Sequence, residues 1–169
     1  MFYWTDAEHP IEIAFHDRGP VDSTRMGNGG SWSVYWYNGV MVSSEISRGL
    51  DIFELTPSAY LTQNEIDAAR TVHLDYLNTQ GQPKFAWPAS FALARAYLDQ
   101  LERSKGLAPE KIAAARSTLT AGEGVTGEAR HTVLRGLFQS LRADAATAAD
   151  GAKVQLAADA VHGLAMATH

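Results

Sequence analysis

Residues 32–43 read WSVYWYNGVMVS, two runs of aromatic and β-branched residues on either side of Asn38-Gly39. Ring-bearing and β-branched side chains fit a pleated, half-buried surface, so both runs favour extended backbone. Asn-Gly is a two-residue connection in which both residues accept positive φ, and it predicts a type I′ hairpin between the runs. A third run, LDIFEL at residues 50–55, follows a turn around Ser47-Arg48-Gly49. The stretch therefore predicts a three-stranded antiparallel meander. Upstream, IEIAF at residues 11–15, just after Pro10, predicts one more short strand.

Alternation along the first run puts Trp32, Val34 and Trp36 on one face and Tyr35 and Tyr37 on the other. Neither face is polar, as in a sheet stacked between neighbours. Three short strands are marginal alone, so the meander is expected to be covered by its own helices or by another chain.

From Leu61 onward the apolar period becomes helical. Thr62-Gln63-Asn64-Glu65 matches a capping box, with Leu61 and Ile66 placed as a hydrophobic staple, and predicts a helix to about Tyr76. NTQGQP at residues 78–83 reads as a loop. Pro88 suits the first turn of a second helix, where its missing N–H is no loss. Phe91, Ala94, Leu98 and Leu101 recur along that helix, and Gly106 suits its C-terminal end. Pro109 opens a third, carrying Ile112, Ala115 and Leu119 and ending near Gly122-Glu123-Gly124. Thr126 is placed to cap a fourth, with Leu134, Leu137, Phe138 and Leu141 on one stripe. Gly151 precedes a fifth, with Val154, Ala157, Val161 and Leu164. Short connections predict that the last three pack as an antiparallel bundle. The expected fold class is α+β: a short antiparallel β meander followed by about five α-helices, the last three a small bundle. The expected domains are a β segment at 1–57, a two-helix connector at 58–106 and a three-helix bundle at 107–169.

Composition narrows the function classes. The 169 residues suffice for one ordinary domain or two small ones. A hydrophobic share of 46% against 20% charged residues is that of a folded chain, not a disordered one. The net charge of −5, without a Lys/Arg cluster, opposes nucleic-acid binding through phosphates. The absence of cysteine excludes disulfides, thiolate metal sites and a cysteine nucleophile. MFYWTD at the amino terminus lacks the basic start and apolar core of a signal peptide. The most apolar stretch, residues 85–98, is interrupted by Pro88 and Arg95 and predicts no membrane span. As written, the chain is expected to be soluble and cytoplasmic.

GSWSVYWYNGVMVSSE at residues 30–45, continued by RGLDIFEL at 48–55, resembles a blade of the LVIVD-repeat β-propellers. Residues 1–15 are similar to the end of a preceding blade, with residues 2–6 closing its third strand and 11–15 its outermost one. The resemblance implies a meander of propeller-blade type, and a chain that is the carboxy-terminal part of a longer propeller protein or its shortened descendant. Members of that family often continue into a helical tail, and they are often exported. A propeller needs several blades, and this chain has room for little more than one.

The chemical candidates are sparse. His9, His16, His73, His131, His162 and His169 include no pair at i, i+4, so no metal is expected. His16-Asp17, Asp22-Ser23 and Ser31 lack the nucleophile elbow of a hydrolase. Gly27-Asn28-Gly29-Gly30 leads into a strand rather than a helix, so it reads as a loop and not a phosphate cradle. Tyr35, Trp36 and Tyr37 suit interface packing better than a stacking platform for sugars or bases. Glu45 and Arg48, flanking a turn, are placed to form an ion pair. Glu65, Asp67, Arg70 and Asp75 read as a solvated helix face.

The leading expectation is a non-catalytic binding or scaffold module, with no cofactor. It would meet another protein chain or a second copy, by strand addition at its β edge or by packing of its aromatic face, through the surface of Trp32, Tyr35, Trp36, Tyr37, Glu45 and Arg48. The rival expectations are a small-ligand receptor or enzyme using the rim around Asp22, Glu45 and Arg48, and a fragment of a longer β-propeller protein.

Overall fold

The computed structural model describes residues 1–167 of an α+β chain. The chain divides into two compact units, Met1–Leu61 with His73–Pro83, and Thr62–Val72 with the described residues from Lys84 on.

In the first unit β1 (Phe2–Tyr3) pairs antiparallel with β2 (Ile11–Glu12). The expected strand at 11–15 is cut to two residues because its partner is no longer. The ladder closes with Ile13 N–H on the Met1 carbonyl at 3.0 Å. The expected meander is present: β3 (Ser31–Tyr37), β4 (Val40–Glu45) and β5 (Gly49–Phe53) lie in the order β3-β4-β5, all antiparallel. Asn38 and Gly39 have φ of 48° and 91°, the two positive values that a type I′ turn demands.

Asn38 also closes the unit at long range. Its amide nitrogen donates to the Leu74 carbonyl at 3.0 Å, and its side-chain oxygen accepts from Leu74 N–H at 2.8 Å. The Tyr37 hydroxyl donates to the same carbonyl at 3.0 Å. Leu74 is thereby hydrogen-bonded as if in a strand, with both of its backbone groups satisfied away from any helix.

The second unit is helical: α1 (Gln63–Arg70), α2 (Phe91–Arg103), α3 (Pro109–Glu123), α4 (Gly127–Ala145) and α5 (Gly151–Met166). The capping box at α1 forms as expected, with Glu65 N–H on Thr62 Oγ1 and Thr62 N–H on the Glu65 carboxylate at 2.7 Å. The helix stops at Arg70, short of the expected Tyr76. Thr71 ends it by turning its hydroxyl onto the Ala68 carbonyl at 2.7 Å, and the neighbouring Val72 adds a second β-branched residue of lower helix propensity.

Two other helix ends differ from expectation. Pro88 lies ahead of α2, whose cap is Ser90, accepting from Leu93 N–H at 3.0 Å. At the far end the left-handed residue is Lys105 (φ 55°), not Gly106. Lys105 N–H reaches the Glu102 carbonyl and Gly106 N–H the Leu101 carbonyl, the two bonds of a Schellman motif. α3 opens at Pro109 as expected. Thr126 holds the N-cap position of α4 without a side-chain cap bond, whereas Asp150 caps α5 through Lys153 N–H at 2.9 Å.

The last three helices do pack together, but α2 shares their core. Leu98 and Leu101 are buried in one cluster with Ile112, Leu119, Leu134, Leu141, Val154 and Val161, so no core boundary falls at residue 106. α4 packs on α5 and α3, and α2 on α5 and α3. Small residues let these helices approach: a Cβ on Gly122 would meet Leu134 Cδ2 at 2.9 Å.

Charges tie α1 to α2 and α3. Asp99 accepts from Thr62 Oγ1 and Asn64 Nδ2, each at 2.8 Å, and from Arg116 at 2.7 Å. Arg103 grips the Glu65 carboxylate with two nitrogens, at 2.7 and 3.2 Å.

Candidate functional site

Side chains alternate across a strand, so the register assigns the faces of the meander. Tyr37 and Val40, then Tyr35, Val42 and Ile52, then Ser33, Ser44 and Leu50 stand in cross-strand rows on one face. Trp36, Met41 and Phe53, then Val34, Ser43 and Asp51 stand in rows on the other. The tyrosine face is open rather than covered as expected: Tyr35 is 45% exposed, Leu50 58% and Ile52 62%.

Trp32 leaves the expected row with Val34 and Trp36. The pairing jumps from Ser31↔Glu45 to Ser33↔Ser44, which makes Trp32 the extra residue of a β-bulge. It has no partner across the ladder and is 78% exposed. Trp36 and Tyr37 are half-buried, so the three aromatic residues do not form one stacking platform. Trp36 Nε1 is buried without a hydrogen-bond partner.

Glu45 and Arg48 serve the backbone rather than each other. Glu45, 7% exposed, accepts from Gly30 N–H at 2.7 Å with one oxygen and from Ser47 N–H at 2.9 Å with the other. The Gly30 N–H holds its carboxyl below the usual range against the opposing effect of burial, and the Ser47 N–H and the Arg48 charge add to the lowering. Arg48 donates to the carbonyls of Arg18, Gly19 and Pro20, the last at 2.7 Å. The pair thus pins two loops to the β4–β5 turn. The glycine-rich loop is held by an acidic side chain, the opposite of a phosphate cradle.

Beside the tryptophan face lies a cleft of about 580 Å³, whose apolar wall includes Ile13, Phe15, Val34, Met41 and Phe53. Glu45 and Arg48 border it, but Asp22 does not. Asp22 instead caps its own turn, accepting from Thr24 N–H and Oγ1 at 2.8 and 2.7 Å. The three rim residues are therefore not gathered. Other polar groups of the cleft are engaged as well: Arg18 with Asp51 at 3.0 Å, Asp17 with Gly19 N–H at 2.8 Å, and Ser31 with Ser43 at 2.6 Å. The His16 ring packs on Phe53 with centroids 4.7 Å apart. Among the described residues no cluster of three His, Asp or Glu could hold a metal ion, and no helix is long and apolar enough to cross a membrane. His169 lies outside the described residues.

Beside these faces lies the β edge expected to take up a strand. β3 is an outer strand of its sheet, and among the described residues no strand or loop backbone pairs with its far side. No charged residue and no proline lies between Arg25 and Glu45. Charge, proline, shortness and bulges are the usual protections of an edge, and β3 has only the last, confined to its start at Trp32. β5, the opposite edge, has such protection in Asp51 with its Arg18 partner.

No protein family, curated protein or solved structure compared with the chain matches it.

Proposed function

We propose that this chain is a non-catalytic binding module that takes up another protein strand on its β meander. The observation carrying the reading is the outer edge of β3, seven residues long, uncharged and without a backbone partner, beside the exposed Trp32, Val34 and Tyr35. An added strand would satisfy its free N–H and C=O groups, while side chains of alternating direction select the sequence. The likeness of residues 30–55 to an LVIVD-repeat blade supports the same reading. A propeller blade has four strands, and one supplied from outside completes the three present here. The test is selection of a displayed peptide library on the full chain. Extended, β-branched or aromatic peptides should be enriched, and their binding should be lost on Tyr35→Lys. Enrichment that ignores this substitution, or none at all, counts against strand uptake.

The cleft beside the tryptophan face favours a second reading, a receptor for a small apolar ligand, since its charged groups are engaged within the protein. An apolar fluorescent dye should bind there and be excluded by Met41→Trp, which fills the cleft. Unchanged dye binding removes this reading.

A further inference from the structure

We infer that the strand taken up by β3 is the β3 of a second copy, paired antiparallel about a two-fold axis through Tyr35. The inference rests on the strand-uptake reading and names its partner.

Three observations point to self-pairing. The first is charge. A chain of net charge −5 repels its copy, and like charges placed opposite each other in a sheet are destabilising. β3 and its flanks carry none from Met26 to Ser44. Of the two edges of the meander, β3 is the one at which two copies can meet without opposing carboxylates, since β5 brings Asp51.

The second is register. The bulge at Trp32 leaves Ser33 to Tyr37 as the regular part of the strand. Antiparallel pairing centred on Tyr35 sets Val34 opposite Trp36 of the copy, Ser33 opposite its Tyr37, and Tyr35 opposite itself. A small or β-branched residue then faces a large ring on each side of the axis. Aromatic and β-branched residues make favourable cross-strand pairs, and an interface that uses the same patch twice closes as a dimer.

The third is the state of the edge. Val34 and Tyr35 are 52% and 45% exposed, and the outward backbone groups of β3 have no backbone partner among the described residues.

The test uses the full chain, which has no cysteine of its own. Residues facing each other in an antiparallel pair have Cα atoms roughly 4.5–5.5 Å apart, within the span of a disulfide. Under mild oxidation Tyr35→Cys should cross-link to itself. Ser33→Cys and Tyr37→Cys should cross-link when mixed but not alone. By sedimentation, the unsubstituted chain should be dimeric at high concentration. Tyr35→Lys, folded by circular dichroism, should be monomeric. Ile52→Lys, on the same face but away from the seam, should remain a dimer. A monomeric chain whose Tyr35→Cys form does not cross-link overturns the inference. So does equal cross-linking at all three positions, or loss of the dimer on Ile52→Lys, which would mark face packing instead. Peptide selection that still succeeds on such a monomer leaves strand uptake standing with a different partner.

Discussion

Asn38 has two tasks whose chemistry is compatible in few side chains. It must accept the positive φ of the hairpin turn, and its amide must hydrogen-bond Leu74 in both directions. Asn38→Ala removes both bonds, leaves the Leu74 N–H short of its partner while the Tyr37 hydroxyl still holds the carbonyl, and adds left-handed strain. With a net hydrogen bond at about 0.5–1.5 kcal/mol and left-handed strain at about 1–2 kcal/mol, it should destabilise the β unit by roughly 2–4 kcal/mol. Denaturant unfolding monitored by tryptophan fluorescence in a Trp87→Phe background checks this; a loss under about 0.5 kcal/mol would refute the double role. Lys105 presents the opposite case, a left-handed position held by a residue with a Cβ. Lys105→Gly should stabilise the helical unit by about 0.5–1 kcal/mol, because glycine enters this region freely. Thermal unfolding followed by far-ultraviolet circular dichroism would show the rise in midpoint.

At the scale of elements, the features legible in the sequence were those determined by neighbouring residues. Asn38-Gly39 specifies its turn, Thr62 and Glu65 their capping box, and Pro109 the start of α3, each by local chemistry, even though Asn38, Thr62 and Glu65 also meet distant groups in the fold. What was not legible depends on distant partners. α1 stops early while Leu74 is occupied by a side chain 36 residues away. Glu45 and Arg48 look paired across a turn, yet each finds backbone groups in loops that come near only on folding. α2 reads as a connector because its stripe resembles any other; only the packed core shows it shared with α3, α4 and α5. The open edge of β3 had a sequence signal, the absence of charge between Arg25 and Glu45, but which strand is outermost needed the pairing order.

The α1–α2 contact also makes a pH prediction. Burial works against the charged form of Glu65, but the Arg103 guanidinium and the Thr62 N–H outweigh it and hold the carboxyl below the usual range. On acidification the unfolded chain therefore binds its proton first, near the ordinary glutamate value of about 4.3. The stability from Glu65 is complete above that value and is lost as the pH falls through the lower folded one. Urea midpoints measured across this range should drop less steeply for Glu65→Gln, starting from a lower neutral value. Parallel curves for the two proteins would exclude this linkage.

On the scale of the whole molecule, the chain holds a well-packed helical unit and a sheet whose tyrosine face and outer edge are open. The helical core is closed by apolar side chains such as Leu119, Leu134 and Val161, each wholly buried. The sheet instead leaves the outer edge of β3 open, and that asymmetry carries the proposed strand uptake. Pairing at the β3 edge is read out by hydrogen exchange of its amides, measured in dilute and in concentrated solution. Tyr37, Tyr35 and Ser33 turn their N–H groups to β4, so Val34 and Trp36 carry the outward amides; these two should exchange rapidly in dilute solution and slow markedly as the chains pair, with the amides of α4 and α5 unchanged. Exchange at Val34 and Trp36 that is equally fast, or equally slow, at every concentration would contradict such pairing.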